Sequence, residues 1–426
     1  MIKQKRNTIF ALVLLTGAFF CCSNTFFAYV PKNVQVNGVQ VGRLPHREAV
    51  SRIRERIAEE TPTISLQTPC GEYVFSYPEI GFTDDAEEIV KKAKRNKSYH
   101  CRVAYFLKAE DVVLKNICEV CSVSPVSAKV AFNGKFTYTA ERYGRGCDFQ
   151  KLKEDVEESL SGSFAPITLS CYALRPEKTV EDLKGETVLL SRFSTSFDGD
   201  YSARAHNIAL AAKSVNGTKL EPGEEFSFNR IVGARTRERG YREAKIISGG
   251  VFVPGVGGGV CQASTTVYNA ALLSGMAITR VQAHSLSVGY VEPSFDAMVS
   301  SSSDMSFVNP FSTPVYIAAR TGKDCVTVEF YGKPSGLTFQ RVSEVLSVIP
   351  PKTEILEEGE EESVKVHAKN GIKSQASLLV YRNGVLKEKK QLRKDTYQSV
   401  RGVRVVKRQK GKEKPQEKEG NEEGTS

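Results

Sequence analysis

Residues 255–269 read Gly-Val-Gly-Gly-Gly-Val-Cys-Gln-Ala-Ser-Thr-Thr-Val-Tyr-Asn. The glycines at 257–259 permit positive φ and let the backbone approach a ligand closely. Past Cys261, small or apolar residues recur at helical spacing: Ala263, Val267, Ala270, Ala271 and Ser274. Gly275 is placed to end that helix in left-handed geometry. A cysteine at such a helix start meets the positive end of the helix dipole and free backbone N–H groups, and both favour the nucleophilic thiolate. The same N–H groups could hold a developing oxyanion. Taken alone, the stretch reads more readily as a small cysteine buried on a helix after a turn.

Of the five histidines, His284 lies 23 residues past Cys261. It sits in Ala283-His284-Ser285-Leu286-Ser287-Val288-Gly289-Tyr290-Val291, whose alternation predicts a strand. A helix from Cys261, a turn at Gly275 and a strand carrying His284 would bring thiol and imidazole together, with Asp296 or Asp304 orienting the ring. A second histidine, His206, falls in a predicted helix at 202–215 that ends at Asn216-Gly217, and there it reads as a structural residue.

At 426 residues the chain has room for about three domains. With 40% hydrophobic and 25% charged residues it can form cores. Lys3, Lys5 and Arg6 precede an apolar run at 9–22, and a second apolar cluster follows at 26–30. Cleavage after Ala28 would leave the bulky Phe26 at the −3 position, and Phe19 and Phe20 stand before Cys21 where a lipoprotein signal needs small residues. The expectation for 1–30 is therefore an uncleaved signal-anchor with the basic end inside, a cleaved signal peptide being the alternative. Either way the rest of the chain is exported. The net charge of +10 then suits anionic envelope polymers, lipid head groups and stem-peptide carboxylates. No nucleic-acid motif is present, and no cofactor or metal is expected. Cys118-x-x-Cys121 lacks the second pair a zinc site needs. Most cysteines outside the anchor fall before residue 172, so any disulfides belong to the N-terminal half, and a catalytic Cys261 would have to stay unpaired.

An internal repeat runs through 33–185 at an offset of 63 residues. Gly71-Glu72-Tyr73-Val74-Phe75 matches Gly134-Lys135-Phe136-Thr137-Tyr138, Gly81 matches Gly144, Asp85 matches Asp148, Ile89 matches Leu152 and Ala93 matches Val156. Each copy predicts a hairpin, an extended piece and a capped helix, with a turn at Asn133-Gly134 and helix starts near Asp84 and Asp148. Residues 174–190 read as a linker, 191–333 as the glycine-rich Cys/His domain, 340–406 as a small β domain with a hairpin at Asn383-Gly384, and 407–426 as a disordered tail. The fold class expected is a multidomain α+β chain: two repeated small α+β units, a mixed α+β domain and a C-terminal β domain.

The region 191–319 resembles the VanW family. The resemblance rests on Phe193-Ser194-Thr195, Arg204-Ala205-His206-Asn207-Ile208, the run 220–229, Gly240-Tyr241, the run 257–262, His284-Ser285, Tyr290-Val291, Asp296-Ala297 and Asp304. The repeats resemble the peptidoglycan-binding domains that often precede VanW domains, and the C-terminal part resembles a glycine-marked adhesion-type β domain. What the resemblance implies is a cell-wall role, since some VanW-domain proteins act as L,D-transpeptidases and the VanW name is tied to vancomycin resistance. The family's cysteine maps to Cys261 and its histidine to His284. Candidate catalytic residues are thus Cys261, His284 and Asp296. Candidate oxyanion or substrate-binding residues are Gly258, Gly259, Gln262, Ser264, Arg204, Asn207 and Tyr290. Two departures stand out: Thr279-Arg280 where the family usually has Glu-Arg, and Ser294-Phe295 where it usually has Gly-Arg. Two functions are expected to compete: a cysteine-dependent peptidoglycan transpeptidase (or carboxypeptidase or endopeptidase) acting on stem peptides, and a non-catalytic wall-binding or glycopeptide-resistance accessory protein.

Overall fold

The computed structural model describes residues 28–198, 202–248, 251–359 and 362–407. The expected anchor and the tail from residue 408 lie outside the described residues, save positions 28–30 of the former. Among the described residues no helix is long and apolar enough to cross a membrane. The architecture is mixed α+β, built from several small sheets. The chain divides into two compact units. One holds the residues up to Pro125 together with Tyr143–Arg175, the other Val126–Arg142 together with everything from Pro176 on.

The first unit has two separate cores. One gathers Val34, Val36, Ile53, Ile57, Ala86 and Val90 around the helix His46–Glu59. The other gathers Ile64, Leu66, Leu114, Leu152 and Val156 around the helices Glu110–Cys121 and Phe149–Glu158. The repeat appears as the same element order twice. The hairpin Ile64–Thr68 with Gly71–Phe75, the strand Ile80–Asp84 and the helix Ala86–Lys92 recur as Lys129–Phe132 with Phe136–Thr139, Gly144–Cys147 and Phe149–Glu158. Asp148 caps its helix by accepting from the Lys151 N–H at 3.0 Å, and Asp84 accepts from the Ala86 N–H at 2.9 Å. The second hairpin belongs to the second unit, where Phe132 and Phe136 pack edge-on against Tyr316 at centroid distances of 5.2 and 5.1 Å. A disulfide joins Cys118 to Cys147, and Cys261 is free.

The core of the second unit is a four-stranded antiparallel sheet in the order Val188–Ser196, Cys325–Gly332, Val315–Thr321, Thr218–Leu220. The helices Ala203–Val215 and Val260–Leu273 pack on it. The helix expected at 202–215 begins at Ala203, and Ser202 caps it by accepting from the Ala205 N–H. Gly259 at φ 107° opens the second, and Gly275 at φ 80° follows its end. Every residue from Gln262 to Leu272 is buried, so this is a central helix with no solvent face. Its buried polar side chains are all bonded. Ser264 donates to the Ala297 carbonyl at 2.6 Å, Thr265 accepts from the Ala297 N–H at 2.9 Å, and Asn269 donates to the Phe295 carbonyl at 2.8 Å. Together they clasp 295–297 onto the helix.

Two expectations are corrected. The linker at 174–190 is structured: Val180–Gly185 is a helix with a capping box between Thr179 and Asp182, and the first core strand begins at Val188. The segment 283–291 carries no strand. Its backbone makes single bonds to scattered partners rather than a ladder: the Ser285 carbonyl accepts from the Gln398 N–H at 2.7 Å, and the His284 N–H donates to the Asp296 side chain. The C-terminal part forms two three-stranded sheets. The larger is Leu337–Ile349, Gly371–Arg382 and Val385–Tyr397, turning at Asn383-Gly384 with φ of 52° and 75°. Its Ala376 and Leu378 join the core of the second unit.

Candidate active site

The glycine loop is shaped by one buried amide. Asn207 donates to the carbonyls of Arg242 and Gly258, both at 2.9 Å, and accepts from the Arg242 N–H at 2.8 Å. Gly258 must lack a side chain, because a Cβ there would lie 2.7 Å from backbone atoms of Ala244 and Lys245. The loop then turns through Gly259 into the helix, and Cys261 is the helix's second residue. The N–H groups of Val260 and Gln262 are bonded to the carbonyls of Gly257 and Gly259.

The half-buried Cys261 thiol donates to the Val299 carbonyl at 3.4 Å and interacts with the His284 ring. His284 and Asp296 are buried, at 7% and 1% exposure. Asp296 Oδ2 accepts from the His284 backbone N–H at 2.7 Å and meets ring Nδ1 at 2.6 Å. With Nδ1 taken by the carboxylate, Nε2 is the nitrogen left for sulfur. The three expected catalytic residues are therefore brought together in the order Cys261, His284, Asp296. Asp304 is elsewhere: it accepts from the Ser227 hydroxyl at 2.6 Å and the Asn229 N–H at 2.9 Å. His206 is also elsewhere, with Nε2 2.9 Å from the Gly240 carbonyl.

Electrostatics matches the geometry. Burial pushes the Cys261 thiol up, but the hydrogen bond and charge of His284 outweigh it and hold the thiol below its ordinary value. Burial pushes His284 down, yet its bonds to Asp296 and Cys261 raise it to about 9. Asp296 is raised by burial and lowered more by His284 and Tyr397, so it stays ionised. At neutral pH the site thus holds an imidazolium beside an ionised carboxylate, with the Cys261 thiol held below its ordinary value next to them.

A cleft of about 870 Å³ opens beside the sulfur. Gly258, Gly259, Gln262, Arg204 and Tyr290 line it with Cys261 and His284. Arg204 donates to Gln262 Oε1 at 2.5 Å and lies 5.9 Å from the Tyr290 ring centroid. Gln262 in turn donates to the Ser196 carbonyl at 2.8 Å. Asn207 and Ser264 are fully buried, and their polar atoms build the loop and clasp rather than line the cleft. Arg235, Lys245 and Lys369 add positive charge, and among the described residues no carboxylate lines the cleft. Nothing in their local sequence marked these three. Two more residues escaped the sequence reading: Arg393 and Tyr397, which bond to Asp296 from the C-terminal domain.

Residues 203–331, which hold the whole Cys261–His284–Asp296 row, match the family described as VanW like protein. The chain carries a VanW-like domain. It is 40% identical over 146 residues to the uncharacterized protein YoaR of Bacillus subtilis, a match covering 34% of this chain and 48% of that one. It is 37% identical over 101 residues to the vancomycin B-type resistance protein VanW of Enterococcus faecalis, covering 23% of this chain and 37% of that one. The chain thus spans less than half the length of these curated relatives. Of solved structures, the IgA1 protease G5 domain is similar at 16% identity over 17% of this chain and 88% of that one, with a TM-score of 0.14. At that TM-score the likeness carries no argument. Around the VanW-like domain, the departures at 294 and 295 are satisfied locally. Ser294 bonds Ser374 at 2.7 Å, and the Arg341 guanidinium sits 4.6 Å from the Phe295 ring.

Proposed function

We propose that the chain is a cell-wall protein whose VanW-like domain catalyses cysteine-dependent acyl transfer on peptidoglycan stem peptides, in the manner of an L,D-transpeptidase. The observation that carries this reading is the Cys261–His284–Asp296 row at a helix N-terminus, opening on a cationic cleft. The name of the Enterococcus relative supports the cell-wall setting.

In the proposed reaction the Cys261 thiolate adds to the carbonyl carbon of the third stem residue. The oxyanion forms near the Cys261 N–H at the helix start. The His284 imidazolium gives its proton to the leaving amine, and the terminal D-alanine departs as the thioester forms. An amine from a second stem then attacks the thioester, His284 takes its proton, and the thiolate returns as the new amide forms. Water in place of the amine would make the enzyme a carboxypeptidase or endopeptidase. Arg204, Arg235, Lys245 and Lys369 suit a substrate bearing carboxylates. Membrane anchorage through residues 1–30 and attraction to anionic envelope polymers belong to the same proposal.

The test is muropeptide analysis of a host without such crosslinks that expresses wild type or Cys261→Ala. Wild type should form crosslinks and the variant none, with the melting temperature nearly unchanged. Equal crosslinking by both would overturn the enzyme reading and leave a non-catalytic wall-binding or glycopeptide-resistance role.

A further inference from the structure

The Asp296 carboxylate is completed from outside the matched domain. Arg393 and Tyr397 lie on the strand Val385–Tyr397, 97 and 101 residues further along the chain. Arg393 Nη2 donates to Asp296 Oδ1 at 3.0 Å and to the Asp296 carbonyl at 2.6 Å, and its Nε donates to the Ser294 carbonyl at 2.9 Å. The Tyr397 hydroxyl donates to Oδ1 at 2.5 Å and accepts from the Ser294 N–H at 2.7 Å. Oδ2 is taken by the His284 backbone and ring. Every polar contact the two residues make here falls on Ser294 or Asp296, apart from the pairing of Arg393 with Asp395 at 2.9 Å.

We propose that Arg393 and Tyr397 are positioning residues for the cysteine site, so that the VanW-like domain works only with the C-terminal β domain docked on it. The inference rests on reading Cys261, His284 and Asp296 as catalytic. Its physical basis is the cost of a buried carboxylate. An Asp at 1% exposure stays ionised only if its oxygens are filled by donors. With a guanidinium and a hydroxyl on Oδ1, Oδ2 is the oxygen left to face His284, and the side chain has one orientation. Without them Asp296 takes a proton or rotates. The imidazolium then loses its anion, and the thiolate loses its imidazolium. A partner serving packing alone would not need donors aimed at both the carboxylate and the segment that carries it.

The experiment follows alkylation of Cys261 by iodoacetamide against pH in the full-length protein, reading the Cys261 peptide by mass spectrometry. Arg393→Gln, Arg393→Lys, Tyr397→Phe and Leu378→Ala are compared, with melting temperatures. Leu378 also ties the β domain to the core but makes no bond to Asp296 or to the segment that carries it. Arg393→Gln should move the acid limb of the profile up by about one pH unit, roughly a tenfold slower reaction on that limb. Lysine should restore most of the shift, and Tyr397→Phe should give a smaller shift of the same sign. Leu378→Ala should lower the melting temperature and leave the limb in place. The proposal is overturned if the limbs of Arg393→Gln and Tyr397→Phe coincide with wild type, or if Leu378→Ala moves the limb equally. Should Arg393→Gln not fold, Tyr397→Phe, which removes one hydroxyl, decides alone. Alkylation needs no substrate, so this outcome is independent of whether Cys261→Ala abolishes crosslinking.

Discussion

At Cys261 burial and hydrogen bonding act in opposite directions, and the balance depends on one neighbour. His284 supplies both the bond and the charge that keep the thiol below its ordinary value. His284→Gln should therefore leave the burial penalty opposed only by the smaller effects of the Val299 backbone and Arg235. The thiol should titrate well above its wild-type value, and iodoacetamide labelling at pH 7 should slow by about tenfold. Wild-type acyl transfer should give a bell-shaped profile. Its acid limb follows thiolate formation, and its alkaline limb falls through about 9 as His284 loses its proton. The same shift has a stability consequence. Because the folded value of His284 is raised from 6.5 to about 9, its contribution is full below about 6.5 and disappears as pH rises through about 9. A thermal-melt series from pH 6 to 10 should show that decline in wild type and not in His284→Gln.

The elements hold these residues through buried polar groups more than through apolar contact. Asn207 is the clearest case. Its one amide joins the helix Ala203–Val215 to the glycine loop and to Arg242, just before the strand Glu243–Ser248. Asn207→Ala removes partners from three backbone groups at a site with no exposure. The expected cost is about 2–4 kcal/mol, read as a lower urea midpoint with unchanged slope, and Cys261 labelling should slow as the loop relaxes. A substrate-binding role would instead predict a changed KM with little loss of stability. The clasp on 295–297 follows the same logic. Ser264, Thr265 and Asn269 each bond a backbone group of that segment, which is how Asp296 comes to face His284.

At the scale of the second unit, the β domain is anchored by Arg341. Its guanidinium lies 4.3 Å from the Phe193 ring centroid and 4.6 Å from that of Phe295, and it donates to Asn269 Oδ1 at 2.5 Å. Arg341→Ala strips two cation–π contacts and leaves the buried Asn269 oxygen short of a donor. We expect a loss of about 2–4 kcal/mol. Calorimetry should still show the β domain and the VanW-like domain unfolding in one transition, because Ala376 and Leu378 belong to the shared core. Two separated transitions in wild type would contradict that coupling.

Local rules were legible wherever one residue's chemistry sets its own backbone. Ser202 and Asp148 start helices because their side chains reach the next turn's N–H groups. Gly259 and Gly275 bracket the central helix because the chain there needs positive φ. Asn383-Gly384 turns a hairpin for the same reason. Cys261, His284 and Asp296 could be singled out together because they lie within 35 residues of one another and sit on motifs of a recognisable family. The strand expected at 283–291 failed because alternation was read without knowing where its backbone bonds would go. They go to Asp296 and Gln398, so no ladder forms. Asn207 and Ser264 looked like site residues by position, but burial turned their polar groups inward. Both Asp296 and Asp304 follow His284 closely enough to orient its ring, and the family motifs led to Asp296 as the candidate. Only the clasp by the cysteine helix gave the imidazole to Asp296, and only a strand from 97 to 101 residues away supplied the donors that fill its other oxygen. No local pattern carries that information, because a buried charge is satisfied by whatever the fold places beside it and not by its neighbours along the chain.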